Sequence, residues 1–184
     1  MRDVMVDIET MGRGHRAAIV SIGAVRFNPV SCKVGNDEAS KFYTTIDLSS
    51  CQKLGQVIDA DTVLWWLAQS VEARAELLNH GGMGLQIALI RFASFVGTTK
   101  GTRVWGNGSN FDNRILRDAY ELTDLGCPWH YRDDRDMRTI VGLAKTWDIK
   151  DVGMTFTGTR HHALDDAIYQ AQVVCEIYQR IRAR

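Results

Sequence analysis

The sequence of 184 residues lacks an excess of charge of either sign, because 22 Lys and Arg residues balance 22 Asp and Glu residues. A formal net charge of zero excludes the broad basic field with which many proteins hold a nucleic-acid duplex without sequence preference. Any contact that this chain makes with a polyanion must therefore be local.

Paired cysteines and long apolar runs are missing as well. The four cysteines lie far apart and form no Cys-x-x-Cys pair, which argues against both a zinc site and a disulfide framework. Free thiols of this kind favour a reducing, cytoplasmic location. The charged pair Arg2 and Asp3 interrupts the start of the chain, so the sequence predicts neither a signal peptide nor a membrane span.

The order of the predicted elements favours one α/β domain over residues 1–184. Hydrophobic residues make up 45% of the chain, which is enough for a single core. Strand-like runs come first, at about 3–8, 18–27 and 42–46, with the polar stretch 28–40 between the last two. Helical patterns follow from about 59 or 61, at 85–96, from 110 or 112 to 122, at 137–147 and at 163–182, with a short strand at 103–106. We expect a central mixed β-sheet that begins as an antiparallel meander and is flanked by α-helices.

Two acidic residues interrupt the first strand-like run. Residues i and i+2 of a strand point to the same face, so Asp7 and Glu9 project together. Charges inside an apolar strand cost several kcal/mol when they are buried without a partner. The pair therefore indicates a bound cation, and carboxylate ligands suit Mg²⁺ or Mn²⁺ better than zinc.

Further acidic residues occur where helices are predicted to begin. Asp112 follows Asn110 and Phe111, while Asp165 and Asp166 both fall in the first turn of the last helix. Acids at such positions commonly interact with the helix dipole, so each alone favours a structural role. Periodicity does not decide which of the last two could bind a metal.

Two histidines precede the last predicted helix. His161 and His162 could be an ordinary surface pair in a loop. An imidazole also titrates near neutrality, which suits a general base close to an acidic centre.

The order Asp-x-Glu, then Asp, then His-x-x-x-x-Asp resembles the DEDDh family of 3′-to-5′ exonucleases, which have a ribonuclease H-like fold. Residues 5–12, Met-Val-Asp-Ile-Glu-Thr-Met-Gly, and the strand at 19–25 are similar to the first motif. Residues 107–116 resemble the second motif and residues 161–167 the third. Within this family the sequence is most similar to the branch of phage-type DexA exonucleases and mycobacterial-type 3′-to-5′ exoribonucleases.

The resemblance implies a catalytic centre with two Mg²⁺ or Mn²⁺ ions. Its metal ligands would be Asp7, Glu9, Asp112 and Asp166, and His161 would be the general base. The choice of Asp166 over its neighbour follows from its spacing to His161.

The activity that the resemblance implies is release of nucleoside 5′-monophosphates from single-stranded DNA or 3′ overhangs. RNA, including short oligoribonucleotides, is the alternative, since discrimination depends on the groups that meet the 2′-hydroxyl. A noncatalytic nucleic-acid-binding module is a more remote alternative, disfavoured because all four carboxylates and the histidine are present. The implied partner is a single-stranded 3′ end and not a membrane, and a homodimer is left open.

Candidate substrate contacts lie around these motifs. Adjacent helical residues face about 100° apart, so at most one of Trp65 and Trp66 can sit fully in the core. The other could stack on a terminal base, although packing of both is the alternative. The resemblance adds Thr10 and Met11, which directly follow the first acidic pair. Arg138, which follows a charge-rich loop, could contact a phosphate. The full set is Thr10, Met11, Trp65, Trp66, Asn110, Phe111 and Arg138.

Overall fold

Six strands and seven α-helices occupy the part of the chain that the computed structural model describes, residues 1–75, 77–78, 81–97, 99–108, 110–149, 152 and 155–184. The strands are Asp3–Thr10 (β1), Ile19–Asn28 (β2), Lys33–Val34 (β3), Lys41–Thr45 (β4), Arg103–Gly106 (β5) and Asp134–Asp136 (β6). The helices are Leu48–Lys53 (α1), Ala60–Leu67 (α2), Val71–Ala75 (α3), Leu85–Val96 (α4), Asp112–Leu122 (α5), Met137–Thr146 (α6) and Ala163–Arg182 (α7). The predicted α/β fold with a central mixed sheet is confirmed.

The sheet places β1 between an antiparallel and a parallel neighbour. β2 pairs with β1 in the antiparallel sense, and β3 and β4 pair with the other edge of β2. β5 runs parallel to β1, and β6 runs parallel to β5. Because parallel strands end at the same edge, the residues at the ends of β1 and β5 are brought together.

Four short elements lie where the sequence analysis predicted no regular structure. β3 and β6 have two and three residues, and α1 and α3 have six and five. Elements of this length carry too few residues to show a period of 2 or 3.6. β6 reads Asp-Arg-Asp, and charges of this kind are tolerated on an edge strand.

Alternate residues of β1 enter two separate hydrophobic clusters. Val4, Val6 and Ile8 pack in the cluster that contains α4 and α5, whereas Met5 packs in the cluster of α6 and α7. Asp7 shares the face of Met5, since residues two apart point the same way. The first acidic pair therefore faces α7. None of the described helices is long and apolar enough to cross a membrane.

Close contact at Gly23 sets the position of α7 on the sheet. A Cβ atom at Gly23 would collide with the backbone of Ala163 and Leu164. Gly23 is paired with Asp7 in the ladder between β1 and β2. The absence of a side chain thus lets the first turn of α7 lie directly over the acidic part of β1.

Candidate active site

The predicted carboxylates and His161 line one cavity of about 470 Å³ at the ends of β1 and β5. They come from three distant segments, the end of β1, the start of α5 and the start of α7. The lining residues are Asp7, Ile8, Glu9, Trp65, Asn107, Phe111, Asp112, Arg138, Arg160, His161, Asp166 and Gln170.

The carboxylate of Asp112 is held by two backbone N–H groups, one from β1 and one from the residue that follows β5. The Ile8 N–H donates to its Oδ1 at 3.2 Å, and the Asn107 N–H donates to its Oδ2 at 2.9 Å. A Cβ atom at Gly106 would lie only 2.9 Å from Oδ2, so glycine at this position leaves room for the carboxylate. Each carboxylate oxygen keeps a second lone pair for another partner.

The two adjacent acids at the start of α7 point to different places. The Thr159 N–H donates to Asp165 Oδ2 at 2.9 Å, while the His161 N–H donates to Asp166 Oδ2 at 2.8 Å. His162 caps the helix, since its Nδ1 accepts from the Asp165 N–H at 3.4 Å. Asp165 therefore holds the preceding loop, whereas Asp166 lines the cavity, as its predicted role requires.

Among the described residues, Glu9, His161 and Asp166 form a compact group of potential metal ligands. One ligand atom from each lies within 4.8 Å of the others. Asp7 lines the same cavity, but its Oδ1 accepts a hydrogen bond from Gln170 Nε2 at 2.7 Å. The cavity thus contains this compact group and two further carboxylates, those of Asp7 and Asp112.

The pKa values of three carboxyl groups in the cavity, those of Asp7, Asp112 and Asp166, are raised, chiefly by burial. Burial is the largest cause of the raised pKa of Asp7, and the negative charges of Asp112 and Glu9 raise this pKa further. Burial raises the pKa of Asp112 to about 6, although two backbone N–H groups lower it, and burial also raises the pKa of Asp166. A divalent cation would favour the ionised forms and supply the missing positive charge. The oxygen-rich donor set therefore fits Mg²⁺ or Mn²⁺.

His161 has an unusual backbone conformation for a residue with a side chain. Its φ of 64° lies in the left-handed region, which costs about 1 to 3 kcal/mol for residues other than glycine. Its ring packs edge-to-face on Trp65 and Trp66, with centroids 5.1 and 6.1 Å away. These ring contacts and the backbone bond to Asp166 hold the imidazole at the cavity.

The two adjacent tryptophans have different environments. Trp66 is 1% exposed and its Nε1 donates to the Thr10 carbonyl at 2.9 Å. Trp65 is 44% exposed. This arrangement agrees with the expectation that at most one of the two tryptophans sits fully in the core. Trp65 is the one with an accessible face.

A second cavity of about 410 Å³ lies next to the first and shares Ile8, Glu9, Trp65 and Phe111 with it. Thr10 lines this second cavity, although its hydroxyl donates to the Gly12 carbonyl at 2.7 Å. The remaining lining residues are Gly12, Arg13, Asp61, Thr62 and Trp66. A space of this kind beside the acidic centre could receive one nucleotide.

Two arginines line the acidic cavity. Arg138 Nε donates to Asn107 Oδ1 at 3.3 Å, and the Arg160 guanidinium lies over the Phe156 ring at 4.2 Å. Asp136 caps α6 through the Arg138 N–H at 3.1 Å, which is a structural role. These two arginines therefore supply positive charge at the site, in a chain with no net charge.

Two predicted contacts are not brought into either cavity. Met11 is 7% exposed, its N–H donates to the Ala18 carbonyl, and its carbonyl accepts from the Asp59 N–H. Its backbone groups are thus already used within the fold, contrary to the predicted nucleotide contact. Asn110 is exposed and lies outside both linings, because the chain turns there before α5 begins at Asp112.

Sequence reasoning missed Gln170 and Asn107. Gln170 lies four residues after Asp166, so both fall on the same face of α7. That spacing was the signal available in the sequence. Nothing local to Asn107 indicated that its N–H would bind Asp112.

The fold has a ribonuclease H-like architecture. The family model of the 3′-5′ exoribonuclease Rv2179c-like domain matches residues 2–178, and the chain belongs to this family. The protein is therefore an enzyme, a 3′-5′ exonuclease that hydrolyses phosphodiester bonds.

Other known proteins are similar to this chain. The exodeoxyribonuclease of Enterobacteria phage T4 is 28% identical over 160 residues, which cover 76% of this chain and 70% of the phage protein. The crystal structure of a full-length 3′-exonuclease has a TM-score of 0.63 at 11% identity and covers 97% of this chain and 81% of its own. E. coli exonuclease I in complex with an oligonucleotide has a TM-score of 0.63 at 16% identity. That match covers 98% of this chain but only 43% of exonuclease I, and at such identities the likeness shows the fold alone.

Proposed function

We propose that this chain removes nucleotides from the 3′ end of a single strand by two-metal hydrolysis at the acidic cavity. The observation that carries the proposal is the convergence of Asp7, Glu9, Asp112, Asp166 and His161 on one cavity from three distant segments. This is the residue set of the DEDDh exonucleases. Membership of a 3′-5′ exoribonuclease family supports the direction of attack.

The carboxylates would hold two divalent cations, Mg²⁺ or Mn²⁺. Asp7, Glu9 and Asp166 would bind one cation, and Asp7 and Asp112 would bind the other. When bound, the pair would make the attacking water more acidic and stabilise charge on the leaving 3′ oxygen. Asp112 is suited to this because two backbone N–H groups fix its carboxylate while leaving lone pairs free.

His161 would accept the proton of the attacking water. A ligand nitrogen of its ring lies within 4.8 Å of carboxylate oxygens of Glu9 and Asp166, so a water between them is within reach. Histidine titrates near neutrality and can act as a base without a large pKa shift. Packing on Trp65 limits the orientations of the ring.

The terminal nucleotide would enter the second cavity, next to Glu9. Trp65 would stack on its base, a contact that is indifferent to sequence. Arg138 and Arg160 line the acidic cavity and would contact phosphates of the strand. Local arginines and bound cations together explain how a chain of zero net charge acts on a polyanion.

RNA is the substrate that we place first, with DNA second. The matching family is described as exoribonuclease over nearly the whole chain. Thr10, Asp61 and Thr62 are among the residues that line the second cavity, and their oxygens are candidate hydrogen-bond partners for a 2′-hydroxyl. DNA, which the sequence resemblance put first, is supported by the phage exodeoxyribonuclease.

The proposed location is the cytoplasm. All four cysteines are free thiols. Disulfides are rare where cellular thiols are kept reduced, so this composition suits a cytosolic enzyme.

Substrates of identical sequence test the strand and sugar preference. Single strands and 3′ overhangs should be degraded faster than blunt duplexes, because the chain has no net charge to bind a duplex backbone and a blunt end would first have to fray to reach the acidic cavity. RNA should be degraded faster than DNA. The measurement is the initial rate on 5′-labelled strands with Mg²⁺ or Mn²⁺. Equal rates on single strands, 3′ overhangs and blunt duplexes would contradict the strand preference, and faster DNA hydrolysis would reverse the sugar order.

Substitution of the tryptophans separates substrate contact from core packing. Trp65→Ala should raise KM by roughly 5- to 150-fold, since base stacking contributes about 1 to 3 kcal/mol. Trp65→Phe keeps an aromatic face and should retain most of the affinity. Trp66→Ala should instead destabilise the protein by about 3 to 5 kcal/mol, because the indole is buried. Steady-state kinetics and chemical unfolding measure both effects, and an unfolded Trp65→Ala protein would favour a packing role for Trp65.

A further inference from the structure

Gln170 is a buried amide whose two ends have different surroundings. The residue is 5% exposed and lies on α7, one turn after Asp166. Its Nε2 donates to Asp7 Oδ1 at 2.7 Å. Its Oε1 is buried and has no hydrogen-bond partner among the described residues. A buried acceptor without a donor costs about 1 to 3 kcal/mol, so this oxygen requires a physical reason.

Packing alone does not explain an amide at this position. The neighbouring face of α7 is formed by Ala167, Ala171 and Val174, all of which are buried. A methionine would fill a similar volume against them and would leave no unpaired oxygen. The polar group is therefore expected to serve the cavity that Gln170 lines.

The partner of Gln170 is the carboxylate on which the metal centre depends most. Asp7 is the ligand that both proposed cations share. A carboxylate offers about four lone-pair sites, and the bond from Gln170 occupies one of them on Oδ1. That bond fixes the carboxylate and adds no positive charge that would compete with a cation. It also lowers the pKa of Asp7, against the larger effects of burial and neighbouring charges that raise it.

We propose that Gln170 is a positioning residue of the metal centre, whose Nε2 orients Asp7 and whose Oε1 accepts a hydrogen bond from a water that hydrates the bound cation. The inference rests on the proposed function, because it requires that Asp7 bind a divalent cation. Mg²⁺ retains several of its waters in protein sites, and these waters need acceptors. Groups that orient metal ligands from outside the coordination shell contribute strongly to metal affinity.

Mn²⁺ binding without substrate tests the inference apart from activity. Gln170→Met keeps the size of the side chain and removes both the donor and the acceptor. Its affinity for Mn²⁺, measured by calorimetry, should fall about 10- to 100-fold. Gln179→Met is the matched control, since Gln179 is exposed on the same helix, and it should bind as the wild type does. Melting in metal-free buffer should show that Gln170→Met is folded, and an unchanged Mn²⁺ affinity would overturn the inference.

Asp7→Asn separates this inference from the proposed function. Loss of Mn²⁺ binding in Asp7→Asn with normal binding in Gln170→Met would overturn the inference and leave the metal centre intact. A wild-type protein that binds no Mn²⁺ would overturn both.

A measurement on the wild type covers the case in which Gln170→Met does not fold. In NMR spectra, added Mg²⁺ should shift the side-chain amide resonances of Gln170 and leave those of Gln179 in place. Unmoved Gln170 resonances at saturating Mg²⁺ would overturn the proposed positioning.

Discussion

Asp7→Asn is expected to abolish hydrolysis and leave the protein folded. The loss in rate should exceed the roughly 10²- to 10³-fold cost of removing one group that stabilises a transition state, because both cations lose a shared ligand. The metal-free variant should also be more stable than wild type, because burial and the nearby charges of Asp112 and Glu9 disfavour the ionised carboxylate. Hydrolysis rates and thermal melting in metal-free buffer measure the two effects.

Asp136→Asn is the matched control for this substitution. It makes the same chemical change at an N-cap outside the acidic cavity, where Asn is also a good cap, so activity and stability should change little. Near-normal turnover by pure Asp7→Asn protein would sink the two-metal assignment.

The pH dependence of stability gives a second check on the acidic cavity. A carboxyl group whose pKa is raised by folding stabilises the protein below its unfolded pKa and loses that contribution as pH rises through the folded pKa. For Asp112, the window lies between its ordinary value of 3.8 and about 6. Metal-free wild type should therefore lose stability across this window, and added Mg²⁺ should reduce the loss.

His161→Ala should lower turnover by roughly 10² to 10⁴, the usual contribution of a general base. Mn²⁺ affinity should change little, because the carboxylates carry the cations. His162 has a structural environment instead, since it caps α7 and stacks on Tyr43 with ring centroids 4.6 Å apart. His162→Asn keeps a capping acceptor and should be nearly as active as wild type.

The comparison of the two histidines also tests the placement of the third motif. A larger loss of turnover in His162→Asn than in His161→Ala would show that the motif is aligned wrongly by one residue. Far-ultraviolet circular dichroism and melting must accompany the kinetics, to show that both variants remain folded.

Elements with a long, clear period could be predicted from the sequence. The bounds of α4 and α7 agree with the predicted ranges, because each carries an apolar pattern with a helical period. The bounds of the short strand β5 also agree, although its four residues are too few to show a period. The acidic positions were also accessible, since Asp7 and Glu9 stand out inside an apolar strand and their motif order resembles a known family.

Contacts between distant segments could not be read from the sequence. Gln170 meets Asp7 across 163 residues, and Ile8 meets Asp112 across 104. Both contacts depend on how α7 and α5 dock on the sheet, which the close approach at Gly23 helps to fix. Local periodicity describes one element at a time, so it also left open which of two adjacent tryptophans is buried.

The proposed activity and its site are tested most directly on a 5′-labelled single-stranded RNA. The measurement follows both the shortened labelled strands and the mononucleotides that are released. Wild-type protein with Mg²⁺ or Mn²⁺ should shorten the strand one nucleotide at a time from the 3′ end and release nucleoside 5′-monophosphates. Chelation of the metal, or the substitution Asp112→Asn, should leave the strand intact. Internal cleavage, release of nucleoside 3′-monophosphates, or equal hydrolysis in the presence of chelator would contradict two-metal exonuclease action at this cavity.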